Sequence, residues 1–277
     1  MIVSLFELVR AKDWLKNFII FLPIIFSEKL SNYDYYNNLI IAFIIFSLTA
    51  SLIYIINDIT DIKIDKLHPV KRNKKPIANG SLSIQFAVYI LIFIFTLIVL
   101  LIYLNPKLLL HVSSYIFLNF LYNFFLKKIP ILDIILLSIG YVIRLDVGSL
   151  VISVQSSWLM VVTIFFLAFF VLSLKRMAEF NIDYKKRDSL AFYTTTKLNI
   201  LIFSSGFLFV FFYSFYIIIL NNNLVLSLPI IFFFIYRYYK KAIYKGNGEF
   251  PIDLVLRDKI LLFTSLLFIS YLLIIYY

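Results

Sequence analysis

Long apolar runs alternate with short polar segments along the whole chain. The runs lie near 14–30, 38–57, 82–104, 107–126, 129–152, 157–174, 198–220, 224–239 and 257–277. Most approach the ~20 residues a helix needs to cross the hydrocarbon core of a bilayer. In lipid every backbone N–H and C=O must find a partner inside the protein, so such runs predict helices. The pattern therefore predicts an all-α, polytopic membrane protein of about nine transmembrane helices. The first run is the weakest, being short and interrupted by Pro23. No low-complexity linker divides the chain, which reads as a single domain over 1–277.

Composition agrees with this pattern and removes alternatives. Of 277 residues, 62% are hydrophobic, 19% aromatic and 15% charged. A soluble domain averages about 45–50% apolar and 25% charged, and its core could not absorb this surplus. Disordered chains are poor in these same residues, so disorder is excluded too. There is no cysteine, which removes disulfides, zinc–cysteine sites and iron–sulfur clusters. Two histidines cannot build a histidine-rich metal centre, so a metal would have to be held by oxygen ligands.

The net charge of +11 points to topology rather than to nucleic acid. With the N-terminus on the cytoplasmic side, 23 of the 26 Lys and Arg residues fall in inner segments; only Lys29, Lys107 and Arg144 do not. That is a strong positive-inside bias, and it predicts a multi-pass protein of the cytoplasmic (inner) membrane. Arg10, Lys12 and Lys16 precede an apolar run that lacks a small-residue cleavage site, so the first span is expected to be retained. The inner loops after the second and sixth spans are long and charged, whereas the outer loops are short. The chemistry is expected on the inner side.

The segment after the second span carries Asn57, Asp58, Asp61 and Asp65. On a helix, Asp58, Asp61 and Asp65 fall within a sector of about 60°. Three carboxylates on one stripe repel each other unless a cation sits among them, and hard oxygen ligands of this kind suit Mg2+. Pro69 and Pro76 bound a loop holding Lys71, Arg72, Lys74 and Lys75. Metal-binding acids beside basic residues suit a diphosphate. The bland reading of the same features is a solvated helix end with a topogenic basic loop near anionic lipid.

Past the sixth span, Arg176, Glu179 and Asp183 repeat the spacing of three and four, beside Lys175. Glu179 and Asp183 are candidates for a second metal or substrate site; a local Lys175–Glu179 pair is the structural alternative. In the fifth span Asp133, Gly140 and Arg144 share a face within about 40°, which should point into the bundle. Asp133 is expected to pair with a lysine near the inner surface. Asn119, Tyr122 and Asn123 mark a polar face on the fourth span, ending at Lys127 and Lys128. His111 and Asp146 lie toward the outer side and are read as structural.

Asn57-Asp58-x-x-Asp61-x-x-x-Asp65 resembles the first aspartate-rich motif of the UbiA superfamily of intramembrane prenyltransferases, and Glu179-x-x-x-Asp183 matches the spacing of the second. Arg10-x-Lys12-x-Trp14-x-Lys16-Asn17 and His68-Pro69-x-Lys71-Arg72 are similar to the decaprenyl-phosphate phosphoribosyltransferase branch. Pro76-Ile77-Ala78-x-Gly80, Lys175-Arg176-x-x-Glu179 and Leu132-Asp133 through Arg144 are similar to it as well. Ala11 departs from that pattern, standing where proline is expected.

The resemblance implies helices around a central cavity and transfer of 5-phosphoribose from 5-phosphoribosyl 1-diphosphate to a polyprenyl phosphate, with Mg2+. It implies metal ligation by Asn57, Asp58, Asp61 and Asp65, and phosphate gripping by Lys71, Arg72 and Lys175 or Arg176. Arg10, Lys12 and Lys16 become candidates for the lipid phosphate. Tyr122, Lys127, Asp133, Arg144 and Asp183 complete the expected substrate-binding set, and Asp58, Asp61, Lys71, Arg72 and Glu179 the catalytic one. The nearest rival is an aromatic prenyltransferase with a polyprenyl diphosphate donor and a 4-hydroxybenzoate-type acceptor. A secondary transporter is a third class, but its polar sites would lie near mid-membrane rather than at one surface.

Overall fold

A computed structural model describes residues 2–68, 71–181, 188–220 and 222–277. Among them there are helices and no strands. In chain order the α-helices are α1 (Ile2–Leu8), α2 (Leu22–Phe26), α3 (Asp34–Thr60), α4 (Ile62–Leu67), α5 (Lys71–Lys74), α6 (Ile84–Leu104) and α7 (Leu109–Phe124). There follow α8 (Leu132–Val151), α9 (Trp158–Asn181), α10 (Thr195–Leu220), α11 (Ser227–Ile243), α12 (Pro251–Arg257) and α13 (Lys259–Tyr276).

Six of these, α3, α6, α8, α9, α10 and α13, are long and apolar enough to cross a membrane by length and composition. The other three apolar runs form shorter elements. α7 has 16 residues and α11 has 17, while the first run becomes a 3-10 segment, Ala11–Phe21, followed by the five residues of α2. Pro23 sits in the first turn of α2, where its missing N–H costs nothing. The weakness of the first run thus appears as a change of helix type. The basic loop also differs from expectation: Lys71–Lys74 forms one helical turn inside it.

The outward faces are strongly apolar, as lipid requires; Tyr89, Phe93, Leu110 and Ile274 are among many large side chains left exposed. Inside, one core cluster draws on residues between Leu8 and Ile152, and two others on residues from Ile134 onward. The Ala11–Phe21 segment packs against α3 and α8, and α9 against α8 and α10. Where that segment crosses α8 the backbones nearly touch: a Cβ at Gly148 would lie 2.1 Å from the Ile20 carbonyl oxygen, so only glycine fits. This close crossing tucks the segment under α8 and turns Asn17, fully buried, into the interior.

Candidate functional site

A cavity of about 870 Å³ lies between the core clusters and opens toward the end of the bundle that carries the basic loops. The carboxyl-terminal ends of α3 and α9, the Ala11–Phe21 segment, α7, α8 and the segment 249–257 contribute to its wall. Asn57, Asp61 and Asp65 of the acidic stripe line this wall, and Asp58 is buried without lining it. α3 ends at Thr60 and α4 begins at Ile62, but the chain keeps helical hydrogen bonds through the break: Asp61 N–H donates to Asn57 O and Asp65 N–H to Asp61 O, both at 2.9 Å. The spacing expected of a continuous helix therefore survives, with a small turn at Asp61.

Each acid holds a cation. Arg10 Nη2 donates to Asp58 Oδ1 at 2.5 Å, Lys75 Nζ bridges Asp58 Oδ1 at 2.8 Å and Asp65 Oδ2 at 2.5 Å, and Lys127 Nζ meets Asp61 Oδ1 at 2.9 Å. Three cations thus balance the stripe, Arg10, Lys127 and, from the basic loop, Lys75. Arg10 is presented from a left-handed conformation, φ 50° and ψ 50°, which costs a non-glycine residue on the order of 1–2 kcal/mol. Burial disfavours its charge, but Asp58, Tyr54 and Asp13 together outweigh burial and hold its pKa above the ordinary value. Nearby, Lys16 pairs with Asp13 at 2.6 Å and donates to the Tyr54 hydroxyl at 3.4 Å. Burial works against the Asp13 carboxylate, yet Lys16 keeps its pKa lowered.

Two acceptors in this ring have no hydrogen-bond partner among the described residues: Asn57 Oδ1 and Asp58 Oδ2, both buried. Buried oxygens left without a donor are costly, and adjacent hard oxygens of this kind fit a divalent cation such as Mg2+. No group of three or more acids or histidines gathers as a ready metal cluster among the described residues. Asp61 and Asp65 face lysines instead, so their part in metal binding requires those lysines to move.

The second acidic motif is braced differently. Arg176, 1% exposed, donates through Nε to Asp133 Oδ2 at 2.6 Å and through Nη1 to Glu179, and reaches the Tyr122 hydroxyl at 3.3 Å. Asp133 therefore pairs with this arginine and not with a lysine, because α8 and α9 pack side by side and place both charges in one dry interface. Tyr193 completes the knot, accepting from Ile131 N–H at 2.6 Å and donating to Asp133 Oδ1 at 3.2 Å. Burial and then Asp133 push the Tyr193 hydroxyl pKa up to about 12, so it stays a donor. Ile131, held at φ 68°, turns its N–H toward that hydroxyl. Arg176 is thus a brace away from the cavity wall, whereas Lys175 and Glu179 line it.

The remaining expected residues scatter. Tyr122, Lys127 and Arg144 line the cavity. Lys12, with its side chain 77% exposed, lies 3.8 Å from Asp253. Arg72 is exposed and does not line the cavity. Asp183 and the side chain of Lys71 lie outside the described residues. His111 and Asp146 pair at 2.8 Å near the opposite end, in keeping with a structural role.

Several wall residues were not singled out in the sequence. Lys75 is the most consequential: it was named only as one of four cations in the basic loop beside the acids, and nothing local separates it from Lys71, Arg72 or Lys74. Asp13 sits unremarked within the N-terminal basic motif. Asp253, 3.4 Å from Lys74, and Glu249, 3.5 Å from His68, belong to a late segment with no motif of its own.

The UbiA prenyltransferase family matches residues 27–249 of this chain. A decaprenyl-phosphate phosphoribosyltransferase of Mycolicibacterium smegmatis is 31% identical over 211 residues, covering 73% of this chain and 66% of that protein. Another, from Corynebacterium glutamicum, is 28% identical over 275 residues, covering 93% and 82%. The structure of a UbiA homolog from Archaeoglobus fulgidus bound to GPP and Mg2+ has a TM-score of 0.76 over 99% of both chains at 16% identity, a likeness of fold. The acid-lined cavity inside an apolar bundle and the match over most of the sequence lead to one conclusion: this chain belongs to the UbiA prenyltransferase family and is an intramembrane transferase.

Proposed function

We propose that the protein transfers 5-phosphoribose from 5-phosphoribosyl 1-diphosphate to a polyprenyl phosphate of the decaprenyl type, releasing diphosphate, on the cytoplasmic face of the inner membrane. The observation that carries this reading is two buried oxygens without a hydrogen-bond partner among the described residues, Asn57 Oδ1 on a residue of the cavity wall and Asp58 Oδ2 on a carboxylate held by the wall residues Arg10 and Lys75. Anionic oxygens for a metal next to cations for phosphate suit a metal-bound diphosphate. Two relatives bearing the phosphoribosyltransferase name support the choice of donor.

In this reading the C1–O bond of the ribose breaks, diphosphate leaves with the electron pair, and an acceptor phosphate oxygen bonds to C1. Mg2+, when bound by Asn57, Asp58, Asp61 and Asp65, supplies Lewis-acid stabilisation of the leaving diphosphate. Arg10, Lys75 and Lys127 surround the same place and donate charge-assisted hydrogen bonds to phosphate oxygens once the acids are metal-bound. Lys175, which also lines the cavity, adds a further cation. Glu179, held by Arg176, presents a fixed acceptor to the cavity. The acceptor phosphate is anionic at neutral pH, so no protein base is needed.

A donor swap tests this. Purified protein with Mg2+ should move label from phosphoribosyl diphosphate into polyprenyl phosphate, and excess chelator should abolish the transfer. Prenylation of 4-hydroxybenzoate from a polyprenyl diphosphate, with no ribosyl transfer, would reject the reading in favour of aromatic prenyl transfer.

A further inference from the structure

Arg144 lies on α8, 11 residues past Asp133 and so about 16 Å farther into the bundle at 1.5 Å per residue. It is 4% exposed and lines the cavity. Its Nε donates to Asn17 Oδ1 at 2.6 Å, its Nη1 to the Gly140 carbonyl at 2.7 Å and its Nη2 to the Tyr115 hydroxyl at 2.6 Å. All three partners are neutral, and among the described residues no carboxylate lies within ion-pair distance. By contrast Arg10, Lys16, Lys75 and Lys127, which also line the cavity, each hold an acid.

A guanidinium has five N–H donors. Three are spent here, which leaves one on each terminal nitrogen. The Tyr115 and Tyr141 rings lie 4.6 and 5.4 Å from its central carbon. Rings that cover the faces of the guanidinium offset part of its charge but leave its N–H edge open. A cation kept in a low-dielectric site without a counter-charge is costly, and an entering anion relieves that cost. The two remaining N–H groups, one on each terminal nitrogen, can donate charge-assisted hydrogen bonds to an oxyanion.

We propose that Arg144 is the seat of a second anion subsite in the depth of the cavity, separate from the acidic stripe, that takes a phosphate monoester. Which monoester it takes, the 5-phosphate of the donor or the phosphate of the lipid acceptor, rests on the phosphoribosyl reading; the subsite itself does not.

The test is equilibrium binding of ribose 5-phosphate and, separately, of farnesyl phosphate to the full chain in lipid nanodiscs. The wild-type protein should bind at least one of them. Arg144→Gln should weaken that binding at least tenfold, and Arg144→Lys, which keeps the charge and loses the fork, by an intermediate factor. The affected arm identifies the source of the phosphate. Wild-type protein that binds neither compound would overturn the proposal, as would Arg144→Gln with unchanged affinities. Should Arg144→Gln fail to fold, unchanged binding by Arg144→Lys overturns it equally. Binding is read without turnover, so intact monoester binding beside absent ribosyl transfer rejects the proposed reaction and leaves the subsite standing.

Discussion

Lys75 places one ammonium between two buried carboxylates, and Asp58 shares that charge with Arg10. Removing it strips Asp65 of its partner and half-strips Asp58. Breaking a buried ion pair by losing one partner costs about 3–5 kcal/mol. Lys75→Met should therefore lower the melting temperature in metal-free buffer, and Mg2+ should restore more stability to the variant than it adds to the wild type. Equal Mg2+ responses in thermal unfolding would show that the metal does not share the place held by Lys75. The acids themselves were legible in the sequence because their spacing of three and four is local. Lys75 was legible only as one of four cations in the adjoining basic loop, and Arg10 and Lys127 not as partners at all, since Arg10 and Asp58 stand 48 positions apart and Lys127 and Asp61 stand 66 apart, a proximity that only packing creates. Arg176 shows the same limit: its spacing resembled a site residue, while its burial against Asp133 makes it a brace.

Helix ends decide much of what the elements do. At the start of α13, Asp258 accepts from Ile260 N–H and Leu261 N–H, both at 3.1 Å, and pairs with Arg237 at 2.8 Å and Lys241 at 3.3 Å. Burial raises its pKa, but Arg237, the Leu261 N–H and Lys241 prevail and lower it to about 2 from an ordinary 3.8. A carboxylate whose folded pKa is depressed contributes stability above its unfolded value and loses it as pH falls through the folded one. Asp258→Asn retains a cap acceptor but no charge. The wild type should therefore melt higher than Asp258→Asn at pH 6, and the gap should close between about pH 4 and pH 2. A gap independent of pH would show that the carboxylate's charge is not what stabilises this helix start. Most helices were visible as apolar runs, because length and hydropathy are properties of the segment alone. The Ala11–Phe21 segment was not visible as a 3-10 stretch, since its form follows from packing against α3 and from the Gly148 crossing.

At the scale of the molecule, an apolar bundle encloses a polar cavity whose acids and cations come from widely separated segments. The positive-inside bias predicts chemistry on the inner side, and the charged ring lies at the end of the bundle that carries the basic loops. The cavity's depth was not legible, because Arg144 and Asn17 meet only once α8 and the first segment cross. The central claim is that the acidic stripe handles a ribosyl diphosphate inside this cavity. It is tested most directly by single-turnover transfer of label from phosphoribosyl diphosphate to polyprenyl phosphate in nanodiscs, comparing wild type with Asp58→Asn and verifying the fold of both by thermal melting. The account predicts label in the lipid and diphosphate released one for one by the wild type. In a folded Asp58→Asn it predicts transfer slowed about a hundredfold, since even groups one step removed from a metal cost about 10–100-fold when lost. Label reaching lipid at the same rate in both proteins, or in neither, would contradict it.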